Sequence, residues 1–149
     1  MKNISFTVPG EPRGKARPKV TRTKAGKSLT YTPDKTVAYE ELVRQRYLQA
    51  AGGERFADGV PLALFVRAFH GIPKSTSKRK RAEMTTGVCR PTKKPDFDNI
   101  FKILCDALNG IAYADDAQIV QASIRKSYTP CDPHVEVSIH AIQAGGRDT

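Results

Sequence analysis

Ile4, Phe6 and Val8 alternate with Ser5 and Thr7, the period of two expected of a strand with one buried face. The next regular pattern opens at Thr32-Pro33-Asp34, which combines a capping residue, a proline at the first helical position and an acid in the first turn. The helix predicted there runs to about Ala51, where Gly52-Gly53 ends it, and its apolar stripe is Tyr39, Leu42, Val43, Tyr47 and Ala50. Leu62 to Phe69 is nearly all apolar apart from Arg67, the composition of a strand covered on both faces. Ser77 to Met84 can form a short helix capped by Ser77. A second long helix is predicted from Asp98, at the N-cap position, to about Asn109, with Gly110 as its stop. Val120 to Ile124 and Val135 to Ile139 alternate again as half-buried strands. This order of elements predicts an α/β (α+β) fold, a mixed β-sheet covered by helices.

A chain of 149 residues has room for one core, so residues 1–149 are expected to form a single domain, with 12–27 as a basic loop or arm and 143–149 as a flexible tail. No apolar run approaches a membrane span, and the N-terminus alternates instead of forming a secretory segment. Cys89, Cys105 and Cys131 are odd in number and widely spaced, which suits neither a disulfide framework nor a CxxC site; a reducing cytoplasm is expected. They are read as small apolar residues. His70, His134 and His140 make no HExxH or other ligand pattern and are read as surface or structural residues. The chain contains no Walker A loop, no GxGxxG and no GxSxG.

Charge narrows the picture. Lys and Arg number 25 against 15 Asp and Glu, a net charge of +10, which favours a polyanionic partner, nucleic acid before membrane. Fifteen of the 25 basic residues fall in two stretches. Pro12 to Lys27 carries Arg13, Lys15, Arg17, Lys19, Arg22, Lys24 and Lys27 without an acid, and its Gly14, Pro18 and Gly26 read as loop. Gly71 to Pro95 carries Lys74, Lys78, Arg79, Lys80, Arg81, Arg90, Lys93 and Lys94 against Glu83 alone. Such clusters suit phosphate contacts, which position a nucleic acid without reading its sequence. The candidate DNA-binding residues are Arg13, Lys15, Arg17, Lys19, Lys74, Lys78, Arg79, Lys80, Arg81, Lys93 and Lys94.

Against this background the acids Asp96, Asp98, Asp115 and Asp116 stand out. In an extended lead-in, Asp96 and Asp98 would share one side of the chain. Asp98, Lys102 and Asp106 fall in one sector of the predicted helix, mostly opposite Ile100, Ile103, Leu104, Ala107, Leu108 and Ile111, and a short connection returns the chain to Asp115-Asp116. Gathered carboxylates repel, and a divalent cation removes that penalty. Mg²⁺ takes hard oxygen ligands from a few carboxylates, water and substrate phosphate, and it serves phosphodiester hydrolysis. Lys102 can bind phosphate or stabilise transition-state charge. Taken singly, each residue is also an ordinary cap, ion pair or turn.

Lys93-Lys94-Pro95-Asp96-Phe97-Asp98-Asn99-Ile100-Phe101-Lys102, then Asp106-Ala107-Leu108-Asn109-Gly110, then Asp115-Asp116-Ala117-Gln118-Ile119-Val120 resemble, in order and spacing, the D-x-D-N-x-x-K, D-A-L and D-D-x-Q-V blocks of the RusA-type Holliday-junction endonucleases. Gly14-Lys15-Ala16-Arg17-Pro18 resembles the basic N-terminal segment of many members. The resemblance covers about residues 4 to 142. It implies an α/β homodimer that cuts four-way DNA junctions with Mg²⁺ (Mn²⁺ as substitute), in a bacterial, prophage or phage setting. It places Asp96, Asp98 and Asp116 at the metal-binding catalytic positions and Lys102 at the catalytic lysine, with Asp115 secondary and Asp106 supporting the helix. Two rivals remain: a non-catalytic nucleic-acid-binding module, and a nuclease acting on other branched DNA. A restriction-type metal core is disfavoured, because no [DE]-x-K tripeptide occurs.

Overall fold

The computed structural model describes residues 2–16, 19–31 and 33–143. Arg17, the expected cap Thr32 and all but the first residue of the expected tail 143–149 lie outside the described residues. The elements are β1 (Asn3–Pro9), β2 (Lys19–Arg22), β3 (Ser28–Tyr31), α1 (Asp34–Ala51), β4 (Leu62–Gly71), α2 (Lys78–Thr86), α3 (Phe97–Leu108), a 3-10 turn (Asp116–Gln118), β5 (Ile119–Thr129) and β6 (His134–Ala141). The main sheet is mixed, in the order β1-β6-β4-β5. β6 pairs antiparallel with β1 and β4, while β4 and β5 are parallel. A parallel pair needs a crossover, and that crossover carries α2 and α3.

One face of the sheet forms the core. Ile4, Phe6 and Val8, Val135, Val137 and Ile139, and Leu62, Leu64, Val66 and Ala68 cluster with Tyr39, Val43 and Tyr47 of α1 and with Ile100, Ile103 and Leu104 of α3. The expectation that the Leu62–Phe69 strand is covered on both faces is corrected. Its other side carries half-buried Phe65 and Phe69 and exposed Arg67. Histidines of β6 supply the partial cover: Phe65 meets His140 edge-on at 5.1 Å, and Phe69 stacks on His134 at 4.6 Å. α1 and α3 cover only the core side, while on the other side the end of α2 lies beside Phe69, with Met84, Thr85 and Thr86 lining a hollow with it. His70, on the helix-facing side, is buried with Nε2 lacking a partner among the described residues, and burial pushes its pKa down, so it sits neutral.

Three boundaries depart from the sequence pattern. Part of the basic stretch read as loop is a hairpin, with Lys19 opposite Tyr31 and Arg22 opposite Ser28. Pro33 occupies the N-cap of α1 instead of its first turn. The cap of α3 is Asp96, not Asp98, which already lies in the first turn. As expected, Ser77 caps α2, its hydroxyl accepting from Lys80 N at 3.3 Å, and Gly52 ends α1 with φ of 61°.

What places α3 is the segment Pro12–Ala16 crossing its first turn. Lys15 N donates to Asn99 O at 3.0 Å, and the approach requires a glycine: a Cβ on Gly14 would stand 2.8 Å from Pro95 Cβ and 3.0 Å from Asn99 Cβ. Gly14→Ala is expected to cost about 1–3 kcal/mol of stability through overpacking, measured as a lower urea midpoint at unchanged m-value. An unshifted midpoint would show that the crossing is loose.

Candidate active site

The amphipathic character of α3 decides what the site contains. Its apolar side is buried, so the remaining sector projects Asp98 and Lys102 outward, one turn apart. β5 begins beside it, and the connection between them brings up Asp116. Asp98, Lys102 and Asp116 line one cleft of about 410 Å³, walled by Phe101, Cys105 and Val120. Val120 is 65% exposed, since β5 is a sheet edge. The Cys105 thiol is pushed up to about 12, chiefly by burial, so it remains a thiol and fits the apolar role.

Asp116 is positioned by residues the sequence reading did not single out. Its N–H donates to Asn109 Oδ1 at 2.9 Å. Gln118 is buried and makes four bonds: Oε1 accepts from Ala114 N at 3.1 Å and Asp115 N at 3.3 Å, and Nε2 donates to Ala57 O at 3.0 Å and Val60 O at 3.1 Å. Asp115 caps the 3-10 turn, accepting from Ala117 N at 3.3 Å. The available signal was the D-D-x-Q spacing, which is a capping box. The Asp116 carboxyl is held above its ordinary value, first by burial, then by the hydrogen bond and charge of Asp115 and by Asp106, with Lys102 acting in the opposite direction.

Asp96 stands apart. As the extended cap of α3 it does not share a side with Asp98 in the way an extended lead-in would allow, and its Oδ2 lies 2.8 Å from Lys94 Nζ. Lys126 secures this lead-in by donating to Lys93 O at 2.6 Å and Pro95 O at 2.9 Å. Among the described residues no group of three or more His, Cys, Asp or Glu is close enough to hold a metal ion without rearrangement.

The candidate DNA contacts divide by partner. Lys15 points inward: its Nζ lies 2.6 Å from Glu40 Oε1 and 3.2 Å from Asp106 Oδ2. Burial opposes the charged ammonium, but the two carboxylates outweigh it and raise the pKa. Asp106 also holds Lys102 at 3.4 Å. Arg81 donates to Pro73 O at 3.2 Å, Arg79 lies 3.8 Å from Glu83, and Lys93 sits over the Tyr128 ring at 5.8 Å. Arg13, Lys74, Lys78 and Lys80 are exposed, and Lys19 is in β2. No helix among the described residues is long and apolar enough to cross a membrane.

A mixed α/β domain with a carboxylate–lysine cleft and a basic exterior has the general plan of an enzyme that handles a polyanion. The family model for Endodeoxyribonuclease RusA matches residues 9–140, and the chain belongs to that family, as the order of its motifs implied. It is also similar to the "Uncharacterized protein YqaN" of Bacillus subtilis (strain 168), at 36% identity over 143 residues, covering 95% of this chain and 98% of the relative.

Two outcomes follow from the site. Gln118→Leu leaves four backbone groups without partners and should cost about 2–4 kcal/mol; a urea midpoint equal to the parent's would contradict this. A carboxyl whose folded pKa is raised loses its proton more readily in the unfolded chain, so its contribution to stability falls as pH rises through the ordinary carboxylate range and past the raised value. Metal-free Asp116→Asn should therefore melt above the parent at neutral pH. The gap should close as pH drops below the ordinary carboxylate range; a gap that widens there would reverse the assigned sign.

Proposed function

We propose that this protein is a Mg²⁺-dependent endonuclease that resolves four-way DNA junctions by paired, symmetric cuts, working as a homodimer in bacterial, prophage or phage recombination and repair. The observation that carries the reading is the meeting of Asp98, Lys102 and Asp116 in one cleft in a chain of the RusA family. Two equal incisions in opposing strands call for two equal sites, which a two-fold assembly provides.

The donor set fits a hard divalent cation. Asp98 and Asp116 offer carboxylate oxygens in one cleft, and burial and crowding that hinder ionisation of Asp116 would be relieved by positive charge. Mg²⁺ is commonly held by one or two carboxylates plus substrate phosphate. Asp98 and Asp116 would hold it, Asp96 would act as the third carboxylate after exchanging Lys94, and Mn²⁺ would substitute. When bound, the cation supplies Lewis-acid polarisation and a lowered water pKa. Lys102, with most of its side chain exposed, reaches the phosphate and offsets charge developing in the transition state. Asp106 keeps that ammonium from settling on Asp98 or Asp116. Asn109 and Gln118 fix the backbone that presents Asp116.

The test is incision of a mobile four-way junction, mapped at nucleotide resolution with and without Mg²⁺. Symmetric nicks leaving 5′-phosphate and 3′-hydroxyl ends are expected, abolished by chelation. Lys102→Ala should slow cutting by about 10²-fold or more. Asp96→Asn, Asp98→Asn and Asp116→Asn should lose at least as much while junction affinity stays within a few-fold. Full cutting by the Asp98→Asn variant refutes the assignment, and junction binding without Mg²⁺-dependent nicking makes the protein a binding module.

A further inference from the structure

Among the described residues a cleft larger than the one holding Asp98 and Asp116 is present. It lies on the adjoining flank of α3, measures about 830 Å³, and is walled by the Pro12–Ala16 segment, the first turn of α1 and Pro95, Asn99 and Ile103. Its accessible lining mixes the half-buried rings of Pro33 and Pro95 with cations, apolar surface for a sugar or base beside positive charge for phosphate. The volume is in the range of pockets that enclose a small ligand, which admits a strand but not a duplex.

The cations of this cleft are not equivalent. Lys15 is spent on Glu40 and Asp106, and Lys94 on Asp96. Arg13 and Lys35 are exposed and make no ion pair among the described residues. These two also line a second hollow of about 230 Å³ with Ala38, Tyr39 and Leu42, so the groove continues along α1 past both of them. The one acid on its wall, Asp34, is exposed at the helix start.

We infer that this groove binds a single DNA strand leading away from the cut site, with Arg13 and Lys35 on its phosphates and Lys15 as a brace beneath it. The inference rests on the DNA-directed reading above. A helix is about 10–12 Å across, so the groove, one helix width from the cleft of Asp98 and Asp116, engages the strand a few nucleotides from the bond aligned with them. Counting cations along the sequence cannot distinguish Lys15 from Arg13; their partners in the fold do.

The experiment uses the intact protein with labelled oligothymidylate in chelator, where no cutting is possible, and follows anisotropy across a salt series. Each phosphate contact on a single strand contributes about 0.7 to the slope of log K against log salt. Arg13→Ala and Lys35→Ala should each flatten the slope by about that amount and weaken binding several-fold. Lys15→Met should leave the slope unchanged, as should Lys2→Ala, remote from the groove. Should Lys15→Met fail to fold, amide shifts of the unaltered protein decide: oligothymidylate should perturb Gly14, Lys35 and Thr36. Parent slopes in both Arg13→Ala and Lys35→Ala, or shifts confined elsewhere, overturn the groove, and a flattened slope in Lys15→Met overturns the brace. A flattened slope in Arg13→Ala and Lys35→Ala without Mg²⁺-dependent junction cutting keeps the groove and removes the nuclease; the opposite pattern removes only the groove.

Discussion

One ammonium group ties together three parts of the chain that are distant in sequence. Lys15, on the segment after β1, sits between Glu40 of α1 and Asp106 of α3, and Glu40 in turn lies 3.5 Å from Arg44. Taking these charges out of water is costly, and a buried pair stabilises only when its geometry satisfies both partners. Here one cation faces two carboxylates, and the raised pKa of Lys15 shows that attraction exceeds desolvation. The arrangement also has a direction. Asp106 is shared between Lys15 inside and Lys102 outside, so the charge that secures the helix pair also sets where the lysine of the candidate site rests. Removing Lys15 would leave Asp106 with Lys102 alone, drawing that ammonium back along α3.

The fold was legible where a pattern had a buried side to report. β1 alternates cleanly because every second residue enters the core, and α3 is defined by its sharp division into buried and exposed faces. The β2–β3 hairpin was not legible. Lys19-Val20-Thr21-Arg22 forms a two-stranded sheet outside the core, with Val20 63% exposed, so no hydrophobic period marks it. The partly covered outer face of β4 was hidden for the opposite reason: Phe65 and Phe69 look like core, yet their cover comes from two histidines on β6 and, at Phe69, from the end of α2, contacts that a linear pattern does not reveal. The early start of α3 was not legible, since Asp suits a cap at either position and the Asp96 side chain makes no capping bond, turning to Lys94 instead.

The candidate site divides in the same way. Asp98, Lys102 and the Asp115-Asp116 pair could be placed near one another from helix period and a short connection alone, because those are local constraints. Pairing Asp96 with Asp98 depended on an extended lead-in, and the helix begins two residues too early for that. Lys15 was assigned to DNA by charge, because sequence distance conceals Glu40 and Asp106. Gln118 and Asn109 stood inside the matched motif blocks, but their roles were not legible there because their work is done on backbone groups.

On the proposed reading, a basic protein that also holds a cation would face opposed electrostatic demands: positive potential to draw in a polyanion, and negative potential at one spot. The structure meets both by pairing the cations nearest the acids with other acids. Lys94 is taken up by Asp96, and Lys102 and Lys15 by Asp106. Asp98 and Asp116 are left in their cleft without an ion-pair partner among the described residues, and Asp116 resists ionisation as a result of burial and crowding. Asp116, crowded by acids and partly buried, costs stability in the bare protein. That cost has a physical rationale if a divalent ion and a phosphate arrive together, since the ion relieves the crowding and Lys94, exchanged from Asp96, becomes available to the strand.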